Sequence, residues 1–191
     1  MKSAGMKRFF DFAAAFMLAI LIAVPGLIIW LAVRLSSPGP ALYWSDRVGK
    51  NNRLFRMPKF RSMRVDTPAV ATHLLSNPEM FLTPIGSFLR KNSLDELPQL
   101  WSILKGDMSF VGPRPALFNQ DELITLRTEA KVHILLPGLT GWAQVNGRDE
   151  LPIQEKVRLD TEYLQRRSIL FDLKILWMTA QKVIARDGVS H

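Results

Sequence analysis

The chain has 191 residues, a formal net charge of +8 and no cysteine. The missing thiols exclude disulfides, thiolate metal sites and a thiol nucleophile. The charge points to a polyanionic partner: nucleic acid, anionic lipid or a phosphorylated substrate. The length suits one domain with a real core rather than two, and much of the 48% hydrophobic content lies near the N-terminus. His73, His133 and His191 show no metal-ligand spacing.

Phe12 to Val33 carries no charge. As a straight helix at 1.5 Å per residue it would reach about 33 Å, enough to cross a bilayer core. The run is too long for a signal peptide, and no small-residue cleavage site follows it. Pro25-Gly26 near its middle should break or kink it. Lys2, Lys7 and Arg8 precede the run; Arg34, Arg47, Lys50, Arg53, Arg56, Lys59, Arg61 and Arg64 follow, opposed only by Asp46. Positive charge marks the cytoplasmic side of a membrane segment, and here both ends carry it. A re-entrant helix that bends at Pro25 and returns to the same face satisfies that pattern. A kinked span is the alternative.

Ser36-Ser37-Pro38-Gly39-Pro40 ends this element. Ala41–Val48 and Leu54–Met63 read as two strands of a hairpin around the turn Gly49-Lys50-Asn51-Asn52. The basic residues of the hairpin suit anionic lipid headgroups. Residues 66–78 read as a loop with a helical turn. Helices are expected over Phe81–Lys91, Leu97–Leu104 with a stop at Lys105-Gly106, Asn119–Val132 and Glu155–Gln165. Leu139–Arg148, with glycines around and within it, reads as extended or looped. Ile169–Ala185 is amphipathic; it suits a membrane interface or ordinary core packing. The fold class is therefore α+β, mostly α: a membrane element over 1–35 and a loop-rich catalytic domain over 36–191, with a small β-hairpin and interfacial helices.

Two adjacent carboxylates stand out in Ser93-Leu94-Asp95-Glu96-Leu97-Pro98. Ser93 and Glu96 fit a capping box, but Pro98 would then fall inside the helix, where it lacks a needed N–H. A helix opening at Pro98 leaves Asp95 and Glu96 on the turn before it. Acidic residues beside a helix N-terminus can handle phosphate and metal together.

Several longer strings carry a resemblance. They are Lys59-Phe60-Arg61-Ser62-Met63, the Ser93–Leu100 stretch, Leu104-Lys105-Gly106-Asp107-Met108-Ser109-Phe110-Val111-Gly112-Pro113-Arg114-Pro115, and Pro137-Gly138-Leu139-Thr140-Gly141-Trp142-Ala143-Gln144-Val145-Asn146-Gly147-Arg148, with Asp160 and Tyr163. In this order they resemble the monotopic phosphoglycosyl transferases, bacterial sugar transferases, from about Lys7 to Ser190. The match is to their small form, without additional N-terminal membrane helices.

The resemblance implies a reaction: a sugar 1-phosphate passes from a UDP-sugar to a polyprenyl phosphate such as undecaprenyl phosphate, and UMP leaves. It implies Mg²⁺, a covalent intermediate on Asp95 and metal binding by Glu96 beside Asp95. Substrate-binding roles carry over to Arg114, Arg148, Lys59, Arg90, Gln144 and Asp160. Placement on the cytoplasmic face of the bacterial inner membrane, dipping into one leaflet, is implied too. The sugar is left open, with an N-acetylated or deoxy amino sugar as the first expectation, and so is a homodimer through the amphipathic helices. No nucleic-acid motif is present. The rivals are a membrane-anchored binding module, indifferent to Asp95, and a two-carboxylate hydrolase that needs no lipid acceptor.

Overall fold

A computed structural model describes residues 2–68, 77–147 and 151–185. Two N-terminal helices, α1 (Lys2–Leu21) and α2 (Ala23–Ser36), meet at an angle of 63°. The break falls at Leu21–Ile22, one turn ahead of Pro25. Proline has no N–H to give the carbonyl four residues back, and its ring crowds that carbonyl; for Pro25 the residue is Leu21. Gly26 resumes the ladder, donating to the Ile22 carbonyl at 2.7 Å. Among the described residues no single helix is long and apolar enough to cross a membrane, whereas the bent pair is by length and composition. Pro25→Ala should partly straighten it. Spin labels at Phe9 and Leu35 would then move apart by up to about 5 Å, from 1.5 Å of rise per residue, as pulsed electron-spin distances would show.

The bend gives each arm its own core. Ala15 of α1 packs with Met57, Leu100, Ile103 and Met108, and Val33 of α2 with Ala41, Phe60 and Leu89. Polar contacts fix α1 further. Arg8 donates to the Ile103 and Leu104 carbonyls at 2.5 and 2.9 Å, capping a helix end where cations are favoured. Asp11, buried, accepts from the Ser109 hydroxyl at 2.7 Å, and Lys7 pairs with Asp172 at 2.6 Å. The outer faces of both arms expose Phe9, Met17, Leu21, Val24 and Ile28.

Strands β1 (Leu42–Val48) and β2 (Leu54–Phe60) form the expected antiparallel hairpin, with Tyr43 opposite Lys59. β2 stops at Phe60 rather than Met63, and it tolerates Pro58 because it is an edge strand. The helix expected from Phe81 begins only at Gly86 (α3, Gly86–Lys91). Pro84 biases Thr83 away from helical angles, and Leu82 instead bridges to Met63. Helix α4 (Leu100–Lys105) stops where expected, with Gly106 at φ 99°. After it come β3 (Ser109–Val111), β4 (Ala116–Leu117) and α5 (Asp121–Glu129).

The extended reading of Leu139–Arg148 holds at its start, and the described residues up to Gly147 add a helical turn. β5 (Gly138–Thr140) pairs in parallel with β3, and α6 (Trp142–Val145) is a single turn. The glycines serve close approach here: a Cβ on Gly138 or Gly141 would strike the backbone of Gly112. Helix α7 (Ile153–Arg166) matches its expectation. So does α8 (Ile169–Ala185), which has two apolar sides. Phe171 and Ile175 join a core with Val111, Val145 and Tyr163, while Leu170, Leu173 and Trp177 face outward.

Candidate active site

Asp95 and Glu96 lie in a 3-10 turn, Leu94–Gln99, that leads into α4. The capping-box reading fails. Ser93 sits in the left-handed region at φ 53° and makes no side-chain cap. It follows Asn92, the C-terminal cap of α3, and occupies the left-handed position that commonly closes a helix. Ser93 therefore closes the preceding helix and opens the next turn through its carbonyl, which accepts the Glu96 N–H at 3.3 Å, rather than through its side chain. The resulting sharp reversal turns the two carboxylates toward β2, with Pro98 taken up inside the tighter turn.

There they meet Lys59. Its ammonium stands 2.8 Å from Glu96 Oε1 and 3.7 Å from Asp95 Oδ2. The guanidinium of Arg114 lies 3.8 Å from the same Glu96 oxygen. Arg90, in the last turn of α3, donates to the Met63 sulfur at 3.3 Å and its charge acts on Asp95. Asp95 is 7% exposed. Burial pushes its carboxyl above the usual carboxylate range, opposed by the Lys59 charge, reinforced by Glu96 and opposed again by Arg90. Asp95 thus ionises at a cost that a bound cation would relieve.

A cleft of about 470 Å³ opens beside it. Tyr43 and Trp44 of β1, Lys59, Arg90, Asp95 and Phe118 are among its walls. Cations, aromatic rings and a buried carboxylate on one cavity suit a phosphorylated, partly apolar ligand.

Because the folded state raises the Asp95 pKa, that charge opposes folding above the raised value. The opposition vanishes below the ordinary value of 3.8, where the carboxyl is protonated in both states. In chelator-treated protein, Asp95→Asn should therefore melt above the parent at pH 7. The difference should close as pH falls below about 4, as calorimetry at stepped pH would show.

The other expected site residues divide. Lys59, Arg90 and Arg114 converge on the carboxylate pair. Arg148 lies outside the described residues. Gln144 sits under Gly141, and its amide has no hydrogen-bond partner among the described residues. Asp160 faces a different cation: Arg127 of α5 holds its Oδ2 with two N–H groups, at 2.9 and 2.6 Å. Burial raises the Asp160 pKa and Arg127 opposes it. Arg127 was not singled out in the sequence, where it belongs to no motif and is only one basic residue on a polar helix. Arg61, in the basic run, is spent locally on the Pro38 and Ser37 carbonyls at 2.5 and 2.9 Å.

Among the described residues no group of three or more His, Asp or Glu side chains could hold a metal. The pair Asp95–Glu96 does fit an ion that takes one or two carboxylates and completes its shell with water and substrate phosphate, the habit of Mg²⁺.

A model of the family described as bacterial sugar transferase matches residues 2–186. An uncharacterized sugar transferase, EpsL, of Bacillus subtilis is 41% identical over 97% of this chain and 91% of its own length. The undecaprenyl-phosphate galactose phosphotransferase of Salmonella typhimurium is 37% identical over 96% of this chain. The UDP-glucose:undecaprenyl-phosphate glucose-1-phosphate transferase of Escherichia coli is 40% identical over 93%. The chain spans 41% and 40% of the lengths of those last two. With the family model covering nearly every residue and the carboxylate pair set among Lys59, Arg90 and Arg114, the chain belongs to the bacterial sugar transferase family.

Proposed function

We propose that the chain transfers a sugar 1-phosphate from a UDP-sugar to undecaprenyl phosphate, releasing UMP, as a membrane step in bacterial glycoconjugate synthesis. The observation that carries this reading is the buried Asp95 carboxylate on the wall of a cationic cleft, with Lys59 between it and Glu96.

An Asp95 oxygen attacks the phosphorus that bears the sugar. The bond from that phosphorus to the bridging oxygen breaks, and UMP departs with that oxygen and its electron pair. An acyl phosphate remains on Asp95. An oxygen of undecaprenyl phosphate then attacks the same phosphorus, the bond to Asp95 breaks, and the carboxylate is restored. No net proton transfer is required. A carboxylate approaching a charged diphosphate meets repulsion, so cations must stand where charge develops. Lys59 and Arg90 meet the incoming phosphates, and Arg114 offers a fork that can hold phosphate oxygens in pairs. Glu96 and Asp95 would hold Mg²⁺, which would neutralise charge on the diphosphate.

The bent α1–α2 pair gives the site its place. Positive residues flank both ends, and its outer face is apolar. The pair enters one leaflet of the inner membrane and returns to the cytoplasmic face, among anionic headgroups. The exposed Leu170, Leu173 and Trp177 of α8 lie in the interface. There a soluble nucleotide sugar can meet a lipid phosphate.

The test uses the full chain in nanodiscs with Mg²⁺, undecaprenyl phosphate and a panel of UDP-sugars. The relatives' names put UDP-galactose and UDP-glucose beside the amino sugars. UMP release that needs lipid to continue beyond the first equivalent per enzyme is the expected result. Sugar phosphate released without lipid would favour a hydrolase, and no difference between parent and Asp95→Asn would favour a binding module.

A further inference from the structure

The loop that presents Arg114 has an unusual problem. Pro113 and Pro115 flank it and have no N–H, so the loop can be fixed mainly through its carbonyls. Each of three successive carbonyls is gripped from a different element. Pro113 accepts from the Gly138 N–H of β5 at 2.9 Å. Arg114 accepts from Arg127 of α5 at 2.8 Å. Pro115 accepts from Arg47 of β1 at 3.2 Å.

Arg127 is itself locked. Its Nε and Nη2 hold Asp160, which is 1% exposed, while Nη1 reaches the Arg114 carbonyl. A planar guanidinium can serve the two directions together because its donors are fixed in one fork. Lysine could keep the ion pair but has no rigid fork with which to hold the carbonyl as well.

From this geometry we infer that Asp160 and Arg127 are positioning residues for the reaction. Asp160 aligns Arg127, Arg127 clamps the Arg114 backbone, and the clamp aims the Arg114 side chain at Glu96 and the substrate phosphates. Asp160 then acts on the substrate through Arg127 and Arg114 rather than by contact. This inference rests on the proposed transfer reaction only for its kinetic readout.

The test is a double-mutant cycle in nanodiscs on the full chain: parent, Arg127→Lys, Arg114→Ala and the double variant, with kcat and KM for the UDP-sugar. Arg127→Lys should stay folded and lose about 10- to 100-fold in kcat, the scale of a displacement near 1 Å, with a smaller change in KM. In the Arg114→Ala background the same change should cost less than about twofold, because residues acting in one chain are not additive. An equal loss in both backgrounds, or no loss in either, overturns the relay. Amide exchange supplies a readout that needs no reaction. Arg114 and Ala116 carry the only amides between Gly112 and Leu117, and both should exchange faster in Arg127→Lys while the β1–β2 hairpin keeps its protection. Unchanged exchange at both overturns the relay as well. If the parent releases no UMP, the proposed function fails and the exchange arm still decides this inference. If Arg127→Lys does not fold, Asp160→Asn, which keeps an oxygen for Arg127 but not the charge that aligns it, goes through the same cycle with the same expected and overturning results.

Discussion

Asp95→Asn should abolish sugar phosphate transfer, by about 10⁴-fold or more, the scale of removing a covalent nucleophile. The amide has nearly the same shape, but it cannot form the acyl phosphate. The protein should nevertheless stay folded. Asp95 is buried against its own ionisation, so removing the charge takes away a cost rather than a support. Lys59 keeps its closer partner, Glu96, at 2.8 Å. A Tm at pH 7 no lower than the parent's, together with lost UMP release, separates a chemical role from a structural one. A folded variant with parent activity would point back to a binding module. The combination follows from a site that stores an unfavourable charge where chemistry needs it.

Glu96→Gln should be the next most damaging change, by about 10² to 10³-fold, the scale of losing one preorganised electrostatic partner at a reacting centre. Glu96 anchors Lys59 and stands 3.8 Å from Arg114. Without its charge Lys59 has Asp95, 3.7 Å away, as its remaining carboxylate partner at the site. A closer ammonium would lower the Asp95 pKa and mask the oxygen that must attack. The proposed Mg²⁺ site would lose a ligand as well, so the metal concentration for half-maximal rate should rise several-fold, as a Mg²⁺ titration of UMP release would show. Parent activity and parent Mg²⁺ dependence in Glu96→Gln would remove Glu96 from the mechanism.

The parts of this arrangement that could be read in the sequence are those whose cause is local. Pro25 announces a break, and the structure puts it at Leu21–Ile22, where the missing N–H is felt. Lys105-Gly106 ends α4, and the periodicity of Ile169–Ala185 gives α8 the same bounds. The convergence of Lys59, Arg90 and Arg114 on the carboxylates came from the resemblance, because no spacing rule joins residues so far apart in the chain. Tertiary effects were the least legible. Ser93 carries a strong capping signal, yet the end of α3 claims it first and sets it at positive φ. Leu139–Arg148 reads as extended or looped, and β5 bears out the extended part, but the glycines read as turn formers whereas Gly138 and Gly141 let β5 lie close against Gly112. The resemblance marks Asp160 as a site residue, but its partner Arg127 stands 33 positions away in sequence and has no signal of its own.

The most direct measurement is the mass of the protein after incubation with Mg²⁺ and its UDP-sugar in the absence of any lipid acceptor, followed by peptide mapping. The account predicts a sugar phosphate adduct on the peptide that contains Asp95, absent in Asp95→Asn and discharged when undecaprenyl phosphate is added. Lipid-dependent UMP release with no adduct on that peptide, or an adduct that persists in Asp95→Asn, would contradict it.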